Sequence, residues 1–135
     1  MTVKGLAHIS LYVRDIEASV RFYTRILGFE TRYRENRKDM EYAEVAAGTC
    51  VIEILQWKDP NRLRDREDAR GTIDHFALSV PSIDAAVRDL DEAGVPIAVG
   101  PFDIPDLLGG VRGLFIHGPD GESIELFHVI GDQRS

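Results

Sequence analysis

Two histidines and two glutamates of this chain stand in matched surroundings. His8 opens HISLYVRDIEASVR (8–21) and His75 opens HFALSVPSIDAAVR (75–88), segments that align without a gap at a spacing of 67 residues. The alignment pairs Leu11 with Leu78, Val13 with Val80, Ile16 with Ile83 and Arg21 with Arg88. Glu53 sits between aliphatic residues in VIEIL (51–55), and Glu125 sits the same way in SIELF (123–127). A single strand histidine is ordinarily a hydrogen-bonded structural residue, and a single strand glutamate an exposed or ion-paired one. Two of each at repeat-equivalent places call for a shared explanation. Imidazole nitrogen and carboxylate oxygen together suit a divalent Zn, Ni, Co, Fe or Mn ion, with coordination positions left over for water or substrate. A metal would also balance carboxylates set in strands this hydrophobic, where an unpaired charge is costly to bury. His8, Glu53, His75 and Glu125 are therefore candidate ligands for one divalent ion per chain. His117 and His128 have no counterparts in the first half and are assigned surface or structural roles.

The elements that must hold these side chains follow from periodicity. Each repeat begins with strict alternation, the pattern of a half-buried strand. Ile9, Leu11 and Val13 share one face, opposite His8, Ser10 and Tyr12; Phe76, Leu78 and Val80 share the other copy's, opposite His75, Ala77 and Ser79. Asp15 and Ser82 are placed to cap helices whose apolar positions are Ile16, Val20, Tyr23, Leu27 and Ile83, Val87, Leu90, with Gly28 and Gly94 at their ends. Strand-like runs follow at roughly 29–34, 41–47 and 50–56, and again at 95–99, 111–117 and 122–128, where Pro-Asp-Gly at 119–121 turns the chain into the last. Each half thus reads βαβββ, an α+β fold. By the period of two, Glu53 and Glu125 point away from the aliphatic residues beside them.

KDPNRLRDREDARG (58–71) mixes charges without an apolar period and reads as a solvated linker. It joins module 1 (about 4–57) to module 2 (about 72–130) within one domain over 1–135. GPFDIPDLLGG (100–110) is too long and irregular for a simple hairpin turn, and is expected to be a plain connection or a loop over a substrate.

A chain of 135 residues that is 44% hydrophobic and 29% charged has the balance of one soluble globular unit folded throughout. Its net charge of −7 opposes attraction to phosphate backbones and anionic lipid, so nucleic acid and membrane are excluded as partners. The start, MTVKGLAHISLYVRD, lacks a secretory pattern and no apolar run is long enough to span a bilayer, which predicts a cytoplasmic protein. The single cysteine, Cys50, can form neither an intrachain disulfide nor a sulfur-rich metal site, and is expected to be a buried small hydrophobe.

At these residues the chain resembles the vicinal-oxygen-chelate superfamily, which includes glyoxalase I, methylmalonyl-CoA epimerase, extradiol dioxygenases, fosfomycin-resistance enzymes and bleomycin-binding proteins. The resemblance covers nearly the whole chain and rests on HISLYVRDIEASVRFYTRILGFE, VIEIL, DHFALSV and FIHGPDGESIEL. It implies paired βαβββ modules forming a half-open, eight-stranded metal-binding barrel, with His8, Glu53, His75 and Glu125 at the family's four ligand positions. It also implies a homodimer that takes a small-molecule substrate, in keeping with open sheet edges that need cover.

A Glu at the second ligand position is similar to glyoxalase I (lactoylglutathione lyase). Methylmalonyl-CoA epimerases usually show Gln there, and extradiol dioxygenases use only the ligands matched by His8, His75 and Glu125. The resemblance so implies a metal-dependent isomerase or lyase acting through a metal-stabilised enediolate on a small α-carbonyl substrate, with Glu125 as the base and Glu53 as a second acid/base. An extradiol-type dioxygenase, a methylmalonyl-CoA-epimerase-like enzyme and a non-catalytic drug- or metabolite-binding protein are the alternatives within the same family. Bacterial glyoxalase I usually carries Arg four residues after its first His and Asn four residues after its first Glu, both gripping glutathione. Here those places hold Tyr12 and Trp57, which implies the metal chemistry on a different, more apolar substrate.

Overall fold

The computed structural model describes residues 2, 5–62, 73 and 75–130. The chain divides into two compact units, Met1–Ala69 and Arg70–Ser135, with the boundary inside the expected 58–71 linker. Residues 58–62 of that linker are described and include one 3₁₀ turn at Pro60–Arg62; the expectation for the rest lies outside the described residues.

In the first unit, β1 (Ile9–Tyr12) leads into α1 (Ile16–Arg21), then β2 (Glu30–Asn36), β3 (Met40–Ala47) and β4 (Cys50–Trp57). The Asp15 carboxylate starts the helix by accepting from the backbone N–H groups of Glu17 and Ala18 at 3.0 and 3.2 Å, two of the donors that a helix start leaves open. α1 widens into a π-helical turn over Phe22–Ile26. The turn closes where Phe29 N–H reaches the Tyr23 carbonyl at 2.9 Å. Gly28, at φ +73°, makes that reversal, a backbone region where an L side chain costs about 1–2 kcal/mol. Ile16, Ser19 and Tyr23 are the buried stripe, with Val20 and Leu27 on its half-buried margin.

The first sheet has the order β1-β4-β3-β2. β1 runs parallel to β4, and the other pairs are antiparallel. Ala43, Val45, Ile52 and Ile54 are fully buried on the face that α1 covers. The alternate residues Tyr42, Glu44 and Glu53 therefore belong to the opposite face.

The second unit repeats this connectivity with β5 (Phe76–Ser79), α2 (Ile83–Ala93), β6 (Val99–Ile104), β7 (Val111–His117) and β8 (Ser123–Val129), in the sheet order β5-β8-β7-β6. Ser82 Oγ accepts from Ala85 N–H at 3.1 Å to start α2. Leu114, Ile116 and Ile124 form its buried core with Ile83 and Leu90 of the helix. The fold is α+β, and the described residues form eight strands in two open four-stranded sheets. Among the described residues no helix is long and apolar enough to cross a membrane.

Two local expectations change. The strand expected at 95–99 runs instead over Val99–Ile104, taking in half of the stretch read as irregular. It is an edge strand, and its register shifts between Val99 and Phe102, so Pro101, which has no N–H, sits where no ladder donor is required. The irregular part shrinks to 105–110. Cys50, expected to be buried, is a free and half-buried thiol at the start of β4.

Candidate functional site

Each module brings one imidazole to one carboxylate. In the first, His8 lies just ahead of β1, and parallel pairing sets Ser10 of β1 opposite Glu53 of β4. His8 Nε2 then stands 3.4 Å from Glu53 Oε2. In the second, β5 and β8 pair in the same sense with Ala77 opposite Glu125, and His75 Nε2 stands 3.4 Å from Glu125 Oε2. The sequence repeat is therefore carried down to the atoms that could do chemistry.

The surroundings of the two carboxylates differ. Glu53 is held at both oxygens: Ser10 Oγ donates to Oε2 at 2.8 Å and Tyr42 Oη donates to Oε1 at 2.8 Å. Burial pushes the Glu53 carboxyl up, but those two bonds and the neighbouring His8 more than offset it, leaving it below the usual carboxylate range. Burial and the bond to Glu53 in turn push the Tyr42 phenol well above its ordinary value. In the second module, the place of Ser10 is taken by Ala77 and the place of Tyr42, one strand away, by Gly113. Neither can donate from a side chain. Glu125 is 8% exposed and keeps His75 as its partner.

Glu125 and His75 lie in the wall of a cavity of ≈ 470 Å³ whose described lining residues all belong to the second module. Phe102, Phe115 and Phe127 provide its aromatic walls, and Ile104 and Leu107 belong to its aliphatic lining. On the first module's corresponding face, Tyr12 stacks on Trp57 with ring centroids 5.5 Å apart and planes 17° from parallel, and Tyr33 meets Tyr42 edge-on at 5.8 Å.

Whether these donors fit a divalent ion can be judged from their spacing. Two donors about 2.1 Å from a common ion lie about 3.0 Å apart at a right angle and about 3.4 Å apart at a tetrahedral one. Both His–Glu pairs meet that condition, and nitrogen with carboxylate oxygen is a suitable donor set. Among the described residues no three His, Cys, Asp or Glu side chains group closely enough to hold a metal, so each pair is a two-donor set. His117 is exposed at the end of β7 and His128 half-buried on β8, and neither belongs to a pair. The four acidic and imidazole groups singled out in the sequence are the members of these two pairs, whereas no role was assigned to Ser10 or Tyr42. Alternation did place Ser10 on the face of His8; no local signal places Tyr42 against Glu53.

Comparison with known proteins agrees with the repeat. The chain is 35% identical over 133 residues to the uncharacterized protein YwkD of Bacillus subtilis, covering 94% of this chain and 98% of that one. It is 26% identical to Glyoxylase I 4 of Arabidopsis thaliana, over 90% of this chain and 69% of that protein. It is 27% identical to catechol-2,3-dioxygenase of Bacillus subtilis, over 90% of this chain but 40% of the dioxygenase. Among solved structures, the glyoxylase/bleomycin resistance protein/dioxygenase domain from Frankia sp. EAN1pec shares the fold, with a TM-score of 0.75 at 24% identity, covering 99% of this chain and 96% of that one. The family model of the Glyoxalase/Bleomycin resistance protein/Dioxygenase superfamily matches residues 5–126, across both modules, and the chain belongs to that superfamily.

Proposed function

We propose that the chain is a divalent-metal-dependent enzyme of glyoxalase type, an isomerase or lyase that moves a proton next to a carbonyl of a small substrate. His8, Glu53, His75 and Glu125 would hold one ion per chain, in a cytoplasmic homodimer. The observation that carries this reading is the His–Glu pair repeated at the same 3.4 Å spacing in both modules. A bound ion would supply Lewis acidity to neighbouring substrate oxygens.

The residues divide the remaining work. Glu53 has both oxygens engaged by Ser10 and Tyr42, which holds it as a fixed anionic donor. Glu125 is buried beside His75 with Ala77 and Gly113 at the places of those hydroxyls. Its carboxylate is therefore the one able to take a proton from the carbon beside the carbonyl and return it. Aromatic and aliphatic side chains line the cavity around it.

The direct test is metal content of the purified protein and affinity after chelation and refilling. About one ion per chain is expected, with binding lost in His8→Ala and Glu125→Ala. Unchanged affinity in both variants would overturn the ligand set. An extradiol-type dioxygenase is the second reading, favoured by likeness to the catechol-2,3-dioxygenase, and oxygen uptake by the iron-loaded protein would select it.

A further inference from the structure

We infer that the cavity of the second module binds an uncharged ring-sized apolar group, so that the ligand class is a neutral aromatic or alicyclic molecule with its oxygen-bearing end at His75 and Glu125. The inference shares those two residues with the proposed function and rests on that reading for nothing else.

The walls carry the argument. Phe102 and Phe115 lie with ring centroids 6.0 Å apart and planes at 30°, and His75 meets Phe115 edge-on at 5.0 Å. The Phe102 ring is seated on backbone. A Cβ added at Gly113 would stand 2.8 Å from Phe102 Cζ, and one added at Gly100 would stand 3.1 Å from Phe102 Cδ1. Two glycines thus leave room for one wall of the cavity, and Gly113 occupies the register place at which the first module carries Tyr42.

The volume of ≈ 470 Å³ falls within the range of about 300–1,000 Å³ typical of small-molecule sites. Among the described residues no Lys or Arg lines it, and its charged group is the Glu125 carboxylate. A phosphate or carboxylate tail lodged among the phenylalanines would therefore lose its water without gaining a counter-ion, whereas a neutral ring gains aromatic and aliphatic contact on several sides. His75 and Glu125 give the cavity one polar end, which an inserted aliphatic side chain of a second copy would leave unused.

The test uses the full chain freed of metal by chelation and labelled with ¹³C in its phenylalanine rings. Benzyl alcohol should shift the Phe102, Phe115 and Phe127 signals saturably, and phenyl phosphate should bind at least about tenfold more weakly. Ala77→Trp places an indole in the cavity from an exposed wall position and should weaken benzyl alcohol at least about tenfold. Phe102→Leu keeps the wall apolar without the ring and should cost about three- to tenfold. Equal binding of phenyl phosphate, unshifted ring signals, or an Ala77→Trp effect confined to self-association would overturn the inference. Metal affinity measured on the same samples reports separately on the proposed ligand set. Loss of that set with persistent ring shifts would leave the cavity assignment standing.

Discussion

The Tyr42 hydroxyl donates a 2.8 Å hydrogen bond to Glu53 Oε1, and the register place of Tyr42 in the second module is Gly113. One carboxylate of the repeat is thereby fixed by its own sheet and the other is not. Burial and that bond raise the Tyr42 phenol above its ordinary value of 10.0. A phenol raised by folding stays protonated in the native state after the unfolded chain has begun to ionise. The stability it lends is complete below about pH 10 and is lost as pH rises beyond it. Ultraviolet titration of the metal-free protein should show a late-ionising tyrosine that Tyr42→Phe removes. An unchanged late step in that variant would assign it elsewhere.

Glu125→Gln should slow exchange of solvent deuterium into the carbon beside a substrate carbonyl by about 10²–10⁴-fold, the usual contribution of a general base. Glu53→Gln should act chiefly by lowering metal affinity. The comparison is made with α-hydroxycarbonyl and 2-carbonyl thioester substrates at saturating metal. Equal exchange rates in the Glu125 variant and the parent would remove Glu125 from the base role.

Gly113→Ala should be destabilising although it lies in a strand, where alanine is ordinarily tolerated. Its Cβ would stand 2.8 Å from the Phe102 ring and 3.2 Å from the Leu126 carbonyl oxygen. Overpacking of this kind costs about 1–3 kcal/mol. Denaturant unfolding of Gly113→Ala alone and combined with Phe102→Leu should show the double variant recovering most of the loss. Strictly additive losses would mean that the ring does not limit this position.

If the chain is a homodimer in which the first module of one protomer completes the metal site with the second module of its partner, His8→Ala and Glu125→Ala should complement each other. Half of the dimers formed on random mixing are mixed, and each would hold one intact site of two. About a quarter of the parental metal capacity should therefore return. No recovery after subunit exchange, verified by light scattering and mass, would place each site within one chain.

How much of this was legible in the sequence depends on the range of the interaction concerned. Alternation in HISLYV and HFALSV, the capping residues Asp15 and Ser82, and the helix-ending glycines Gly28 and Gly94 are short-range steric and hydrogen-bonding preferences. They show in a few neighbouring residues, so the βαβββ repeat and the four His and Glu positions could be read directly. The extent of β6 could not. Pro101 argues locally against a strand, and only pairing with β7 as an outer strand makes its missing N–H harmless.

The partners of the carboxylates lay still further from local reading. Ser10 meets Glu53 across 43 residues and Tyr42 meets it across 11, through a parallel and an antiparallel register that no single segment encodes. The sequence by itself determined which groups were available and which face of each strand they took. Only the tertiary structure decided that Glu53 is clamped by two hydroxyls while Glu125 faces a phenylalanine-walled cavity. Strand register is set by the packing of whole sheets, and a shift of one residue would have turned those same side chains to the other face.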